Sequence, residues 1–269
     1  MIDVHTHILP GLDDGAQSWD DALAMARHLS KAGFTQVIAT PHVLEGRRFI
    51  APDIILDLVA QLNQRLQQAE ISLLVLPGAE NYIFPDLPRY AREGRLVTLG
   101  GSGKYLLLEL PMLELPNYTD EIFFELQLAG VIPVLAHPER YPYVYDEPEL
   151  ITGWIRNGIL CQLDLQSLSG RYGEEARQMA RRLVKNDLIQ LLGTDMHRIV
   201  RGPELYEKEY QTLYQLIGES ALDILTNRNP GLLITGADIP HHEPEPGLTY
   251  KDQKGKLLKR LLSLGRPKR

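Results

Sequence analysis

Ile2-Asp3-Val4-His5-Thr6-His7 opens the chain as a short β-branched run that ends on two histidines. In an extended strand, residues i and i+2 share a side, so both imidazoles leave the strand in one direction and can chelate. Working outward, comparable runs occur at 35–40, 72–77, 105–110, 132–136, 159–165 and 188–193, which makes seven predicted strands with 2–7 included. Between them lie amphipathic stretches long enough for crossover helices. Ser18 is placed to cap 20–31, Pro52 or Asp53 to open a run reaching residue 70, and Thr119 to cap 120–129. Gly33, Gly130 and Gly158 fall between such a helix and the next strand, where a left-handed residue ends a helix. Strands alternating with helices predict a parallel sheet and an α/β fold.

The distribution of reactive side chains chooses between an open sheet and a barrel. An open sheet gathers its site at one switch point, whereas a barrel draws on the C-terminal ends of nearly all its strands. Here His5 and His7 end the first strand, His42 follows the second, His137 the fifth and His197 the seventh. Asp13 and Asp14 lie in the first loop, Glu80 follows the third strand, Glu109 ends the fourth, and Asp195 precedes His197 by two. Every predicted strand except the sixth contributes, which is the barrel pattern. Asp195-Met196-His197 reads as a second i, i+2 pair.

Counting one of the two loop aspartates, nine potential ligands, imidazole and carboxylate without thiolate, exceed the needs of one ion and suit two or three divalent ions such as Mn²⁺, Fe²⁺ or Zn²⁺. Leu12-Asp13-Asp14-Gly15 is also ordinary turn chemistry, so one of the two aspartates is expected to be a ligand, with Asp14 favoured. Cys161 is the single cysteine, and Ser167 stands where a cysteine-based phosphatase would need its arginine. Thiolate chemistry is excluded, and Cys161 reads as a strand-core residue. His28, His241 and His242 receive no function, and Arg47 and Arg48 read as an exposed loop.

At 269 residues, 44% hydrophobic and 23% charged, the chain has the make-up of a globular protein, with 1–236 as one body. Residues 251–269 carry eight Lys/Arg against Asp252, which leaves −14 on 1–250 within a total of −7. An acidic body disfavours nucleic acid, although carboxylates gathered around metal give the same balance. One cysteine excludes an internal disulfide and fits a reducing compartment. No apolar run approaches the ~20 residues of a membrane span and no signal peptide opens the chain, so a cytoplasmic location is expected. Residues 237–269 read as a Pro/Glu-rich linker followed by a basic amphipathic segment. In that segment Leu257, Leu258, Leu261, Leu262 and Leu264 share a helical face opposite Lys256, Lys259 and Arg260. Such a segment, spanning 254–269, is expected either to solubilise the chain or to lie on an anionic membrane surface.

The opening 1–15, with Ala39-Thr40-Pro41-His42, Pro77-Gly78-Ala79-Glu80, Leu135-Ala136-His137-Pro138-Glu139-Arg140-Tyr141 and Thr194-Asp195-Met196-His197, resembles the polymerase and histidinol phosphatase (PHP) superfamily. Within it, the resemblance is to the bacterial metal-dependent protein tyrosine phosphatases of capsule and exopolysaccharide loci, from Met1 to about residue 236. The resemblance implies a distorted seven-stranded (β/α)7 TIM-like barrel and a centre of two or three ions, usually Mn²⁺, with Fe²⁺, Zn²⁺ or Mg²⁺ as alternatives. It implies His5, His7, Glu80 and Asp195 on one ion, Glu80 bridging to a second on Glu109 and His137, and Asp14, His42 and His197 on a third. An aspartate stands in the first loop where other branches carry histidine, which weakens the case for zinc. Arg140 and Arg201, on loops beside the ligands, would act in catalysis by holding phosphoryl oxygens. The implied activity is phosphotyrosine hydrolysis on an autophosphorylated bacterial tyrosine kinase. The alternatives are a small-molecule phosphatase such as histidinol phosphatase, or a binding module with structural metal.

Overall fold

The computed structural model describes residues 1–46, 49–200 and 202–240. Arg47, Arg48, Arg201, His241, His242 and the basic segment 251–269 lie outside the described residues. The strands are β1 (Ile2–Thr6), β2 (Gln36–Ala39), β3 (His42–Val43), β4 (Leu74–Pro77), β5 (Glu80–Tyr82), β6 (Tyr105–Glu109), β7 (Ile132–Ala136), β8 (Leu160–Asp164) and β9 (Leu191–Gly193). The helices are α1 (Trp19–Lys31), α2 (Pro52–Gln68), α3 (Leu87–Arg92), α4 (Thr119–Leu128), α5 (Pro142–Asp146), α6 (Glu149–Arg156), α7 (Glu174–Lys185), α8 (Glu204–Asp223) and α9 (Asn229–Thr235). Every pairing is parallel, in one sheet ordered β1-β2-β4 and another ordered β3-β5-β6-β7-β8-β9. Thr6, the last residue of β1, forms a further parallel bridge with Met196, beyond β9. The result is an α/β fold built on a curled parallel sheet.

Two departures from the expected strands matter for the site. The run at 35–40 ends one residue early at Ala39, that at 72–77 starts late at Leu74 and ends at Pro77 as expected, and short additional strands, β3 and β5, begin at His42 and Glu80. Pro41 cannot donate to a ladder, which breaks the first. The second breaks at Gly78, where a Cβ would meet Ile38 Cγ2 at 2.6 Å and Ala39 O at 3.1 Å. After these jogs His42 and Glu80 are paired in register, side by side. The caps follow the sequence in part: Ser18 Oγ accepts from Asp21 N at 3.1 Å. Thr119, by contrast, is the first residue of α4 and donates to Pro116 O at 2.8 Å rather than capping. Gly33, with φ +91°, supplies the left-handed turn after α1 that another residue would adopt only under strain.

Strand alternation sorts the residues. On β6, Leu106 and Leu108 pack outward among the helices, whereas Tyr105 and Leu107 face the concave side with Ile38, Val134, Leu160 and Leu191. Continuing upward on that side, Glu109 stands above Leu107 and Gln162 above Leu160, so polar groups crown an apolar base. Cys161 points outward and is fully buried, as its strand position predicted. At the base, Tyr105 Oη donates to Ala237 O at 2.6 Å and accepts from Ile239 N at 3.1 Å, and Ile239 is buried. Packing therefore continues past residue 236, where a non-packing linker was expected to begin, because this phenol satisfies the backbone on both sides of Asp238.

Candidate metal centre

His5 and His7 present Nε2 atoms 3.2 Å apart at the end of β1. Their other nitrogens are committed: His5 Nδ1 lies 2.9 Å from Gln162 Oε1, and His7 Nδ1 lies 2.7 Å from Asp13 Oδ2. Both acceptors require Nδ1–H, so each Nε2 carries a lone pair toward the other. Glu80 Oε2 sits 3.2 Å from His5 Nε2 and 3.4 Å from His7 Nε2, and Asp195 Oδ1 sits at 3.4 and 3.2 Å. Both oxygens are buried with no aligned donor. Four electron-rich atoms facing one another in a dry site are stable only with positive charge between them. Ligands ~2.1 Å from a tetrahedral ion stand roughly 3.4 Å apart, which is the spacing seen here. The donor set fits a divalent ion.

Two further clusters adjoin. Glu80 Oε2 is 2.9 Å from His42 Nδ1, while Glu80 Oε1 is 3.1 Å from His137 Nε2, so its two oxygens face different neighbours. Glu109 completes this cluster, 3.8 Å from His137 Nε2 and 3.9 Å from His42 Nδ1. Asp14 Oδ1 lies 3.3 Å from His197 Nε2 and 3.6 Å from His42 Nε2, and the His197 ring stacks 3.8 Å from that of His7. His42 thus stands between the second and third clusters. All nine expected ligand positions meet at one end of the strands.

Asp13 and Asp14 divide the work. Asp13 accepts from Gly15 N at 2.8 Å and His42 N at 3.0 Å as well as from His7, and His7 holds its carboxyl down to about 2 although burial opposes this. Asp14 is largely exposed, with its carboxylate free to face an ion. Burial disfavours the imidazolium of His5, yet Glu80 and Asp195 outweigh that and raise it to about 9. Protons and metal ions therefore compete for the same place. Burial, then Glu80, pushes Glu109 up to about 7, and burial followed by Arg140 lowers His137 to about 4.

Asp195 does not reach the site as part of an extended pair. It takes φ +46° just beyond β9, and His137 takes φ +35° beyond β7. Both are non-glycine residues in the left-handed region, a cost usually retained where a site requires it. The turn still brings His197 Nδ1 within 3.4 Å of Asp195 Oδ1. Arg140 Nη1 donates to Asp195 Oδ2 at 2.6 Å, lies 3.8 Å from Asp164 Oδ2, and places its guanidinium 4.2 Å from the Tyr172 ring centre.

The sixth predicted strand, expected to contribute nothing, provides Gln162 and Asp164. Neither is a histidine, but Asp164 is a carboxylate one residue from the end of its predicted run, as Glu109 is in 105–110, and strand parity from it also finds Gln162. Asp3 was also missed: fully buried, it accepts from Thr194 Oγ1 at 2.6 Å and His5 N at 3.1 Å, tying β1 to the turn after β9. Glu139, fully buried, accepts from Ser167 Oγ at 2.7 Å and Asp164 N at 3.0 Å, and burial raises its carboxyl to about 8.

Residues 1–235 match the family described as capsular polysaccharide synthesis, CpsB/CapC. The chain belongs to the CpsB/CapC family. This CpsB/CapC chain is 36% identical over 248 residues to the tyrosine-protein phosphatase YwqE of Bacillus subtilis (strain 168), covering 91% of it and 96% of YwqE. The putative tyrosine-protein phosphatase CapC of Staphylococcus aureus is 30% identical, over 76% of this chain and 79% of CapC. The solved structures of YwqE and of CpsB from Streptococcus pneumoniae are described as unique metal-dependent tyrosine phosphatases. One of these chains superposes with a TM-score of 0.86 at 34% identity, covering 93% of this CpsB/CapC chain and 100% of that chain.

Proposed function

We propose that this CpsB/CapC chain is a metal-dependent protein tyrosine phosphatase, a phosphoric monoester hydrolase acting in capsule or exopolysaccharide synthesis. The observation that carries the reading is the set of unpartnered buried atoms: Glu80 Oε2 and Asp195 Oδ1 facing the Nε2 atoms of His5 and His7. In this reading His5, His7, Glu80 and Asp195 hold one ion, Glu80 with Glu109 and His137 a second, and Asp14, His42 and His197 a third, with Mn²⁺ the metal. Divalent ions held by these residues would supply activation of water at neutral pH and charge to offset the phosphoryl group. Gln162 and Asp13 fix the tautomers of His5 and His7. Arg140 is anchored through Nη1 and would offer its other N–H groups to phosphoryl oxygens, and Arg201 is assigned the same role from sequence. A phenolate, with a pKa of about 10, leaves without strong protonation, so no general acid is assigned.

In the same reading the strand segments β2–β3 and β4–β5 are two interrupted strands. Seven strands then close as a TIM-like barrel through the Thr6–Met196 contact. The substrate is a phosphotyrosine protein, an autophosphorylated tyrosine kinase, and the location is cytoplasmic, with peripheral contact between residues 254–269 and an anionic membrane. No described helix is long and apolar enough to cross a membrane. The test is elemental analysis of protein purified without chelator, with hydrolysis of a phosphotyrosine peptide and of histidinol phosphate restored ion by ion. Preferred turnover of the peptide with Mn²⁺ is expected, and preference for histidinol phosphate would sink the proposal.

A further inference from the structure

Beside the metal centre, the structure places tyrosines that the ligand chemistry does not use. Tyr82 follows Glu80 by two on β5, so it leaves the strand on the same side, and its backbone is in register with Glu109. Tyr141 and Tyr143 build a ladder outward from the site. The buried Tyr141 ring lies 5.7 Å from that of His137, and Tyr143 stacks on Tyr141 at 5.3 Å with the rings 6° from parallel. Two hydrogen bonds fix this ladder to the strand that carries Glu109: Leu110 N donates to Tyr141 Oη at 3.0 Å, and Tyr143 Oη donates to Pro111 O at 3.2 Å. Tyr118 ends the same 110–118 loop. Tyr82, Tyr118 and Tyr143 are all partly exposed. Burial, then Glu109 and Tyr118, raises the Tyr82 phenol, and burial, then Tyr82 and Glu109, raises that of Tyr143. Tyr82 and Tyr143 are thus tied to the Glu109 end of β6, Tyr82 by register and Tyr143 through Pro111, and Tyr118 ends the loop that leaves it.

We propose that Tyr82, Tyr118 and Tyr143 form a rim that receives the aryl ring of the phosphate ester while its phosphoryl group sits at the metal centre. This rests on the phosphatase reading and deepens it by naming residues that select an aromatic ester. A flat ring entering between partly exposed phenols gains edge and offset-stacked contacts that an alkyl group cannot make. Tyr143 is pre-organised for this, since its ring is already held by Tyr141 and its hydroxyl by Pro111.

The test measures binding rather than turnover, so leaving-group chemistry does not enter. Titration calorimetry on the full-length, Mn²⁺-loaded protein would compare benzylphosphonate with methylphosphonate. Wild type is expected to favour the benzyl compound. In Tyr82→Ala and Tyr143→Ala that preference should fall on the order of ten-fold, and Tyr82→Phe and Tyr143→Phe should retain it. Metal content and melting temperature identify any variant that fails to fold, for which the Leu substitution takes its place. An unchanged preference in folded, metal-loaded variants overturns the rim, as does equal loss in the Phe variants. Failure of wild type to hydrolyse phosphotyrosine while these preferences behave as expected would instead overturn the phosphatase reading alone.

Discussion

Asp13 and Asp14 are adjacent in sequence and chemically identical, yet one orients a histidine and the other faces outward as a candidate ligand. Asp13→Asn should keep the fold, since its amide oxygen can still accept from one of Gly15 N and His42 N, which are bound by different oxygens of Asp13. It should weaken retention of metal by about 10–100-fold, because the His7 tautomer is no longer held by a charged acceptor. Metal titration of the variant checks this, and wild-type affinity would count against the role. Alanine at His5, Glu80 or Asp195 should abolish hydrolysis with circular dichroism unchanged, since the apolar base of the sheet does not involve them. Cys161→Ser makes the contrasting case. Burial pushes its thiol well above the ordinary range, so it has no thiolate to lose. The serine enzyme should keep kcat within a few-fold while melting earlier, because a hydroxyl buried without a partner costs roughly 1–3 kcal/mol.

At the scale of the element, the site depends on how each strand ends. Strand parity is visible in sequence, which is why His5 and His7 could be paired and why Glu109 could be read as facing the site. The turns after β7 and β9 could not be read, because nothing in a histidine or an aspartate announces a left-handed backbone. That geometry is imposed by partners elsewhere, such as Arg140 on Asp195. Gly193 shows how tightly the ends are packed: a Cβ there would lie 2.5 Å from His5 Cβ and 2.7 Å from Gln162 Nε2. Gly193→Ala should therefore displace the His5–Gln162 pair and lower bound metal per chain, with a smaller loss of melting temperature than a core deletion. Full metal occupancy by elemental analysis would refute this. Gly15 is comparably confined, since its Cβ would run into the His7 carbonyl and side chain.

For the whole molecule, the buried charge gives a pH signature that metal should erase. In the metal-free protein His5 is raised from 6.5 to about 9, so its contribution is full below about 6.5 and lost as pH rises through about 9. Glu139 and Asp164, raised by burial to about 8 and 7, act in the same direction, because the unfolded carboxyls ionise first and the folded ones only as pH approaches those values, whereas the contribution of Asp3, raised to about 6, is already lost by about pH 6. Stability of the chelated protein should fall between pH 6 and 9, whereas the Mn²⁺-loaded protein should hold nearly level, with affinity for the ion rising over that interval. Melting curves at several pH values decide this, and parallel curves for the two forms would exclude protons and metal as competitors. The tail is tested at the same scale. The intact chain should co-sediment with anionic vesicles at low salt, and a chain ending at Pro240, which keeps the packing of Ile239, should not.

The sequence by itself determined the α/β class, the parallel order of helices and strands, the expected ligands and the absence of thiolate chemistry, because period, residue type and strand ends are local properties. It also carried enough motif to place the chain near a family. Only the tertiary structure decided that the candidate ligands form three adjoining clusters sharing Glu80 and His42, that Asp13 holds His7 while Asp14 faces outward, and that β8 contributes Gln162 and Asp164. These depend on which atoms meet across 30 to 190 residues of chain. A glutamine on one strand matters to a histidine on another only once the curled sheet sets them 2.9 Å apart.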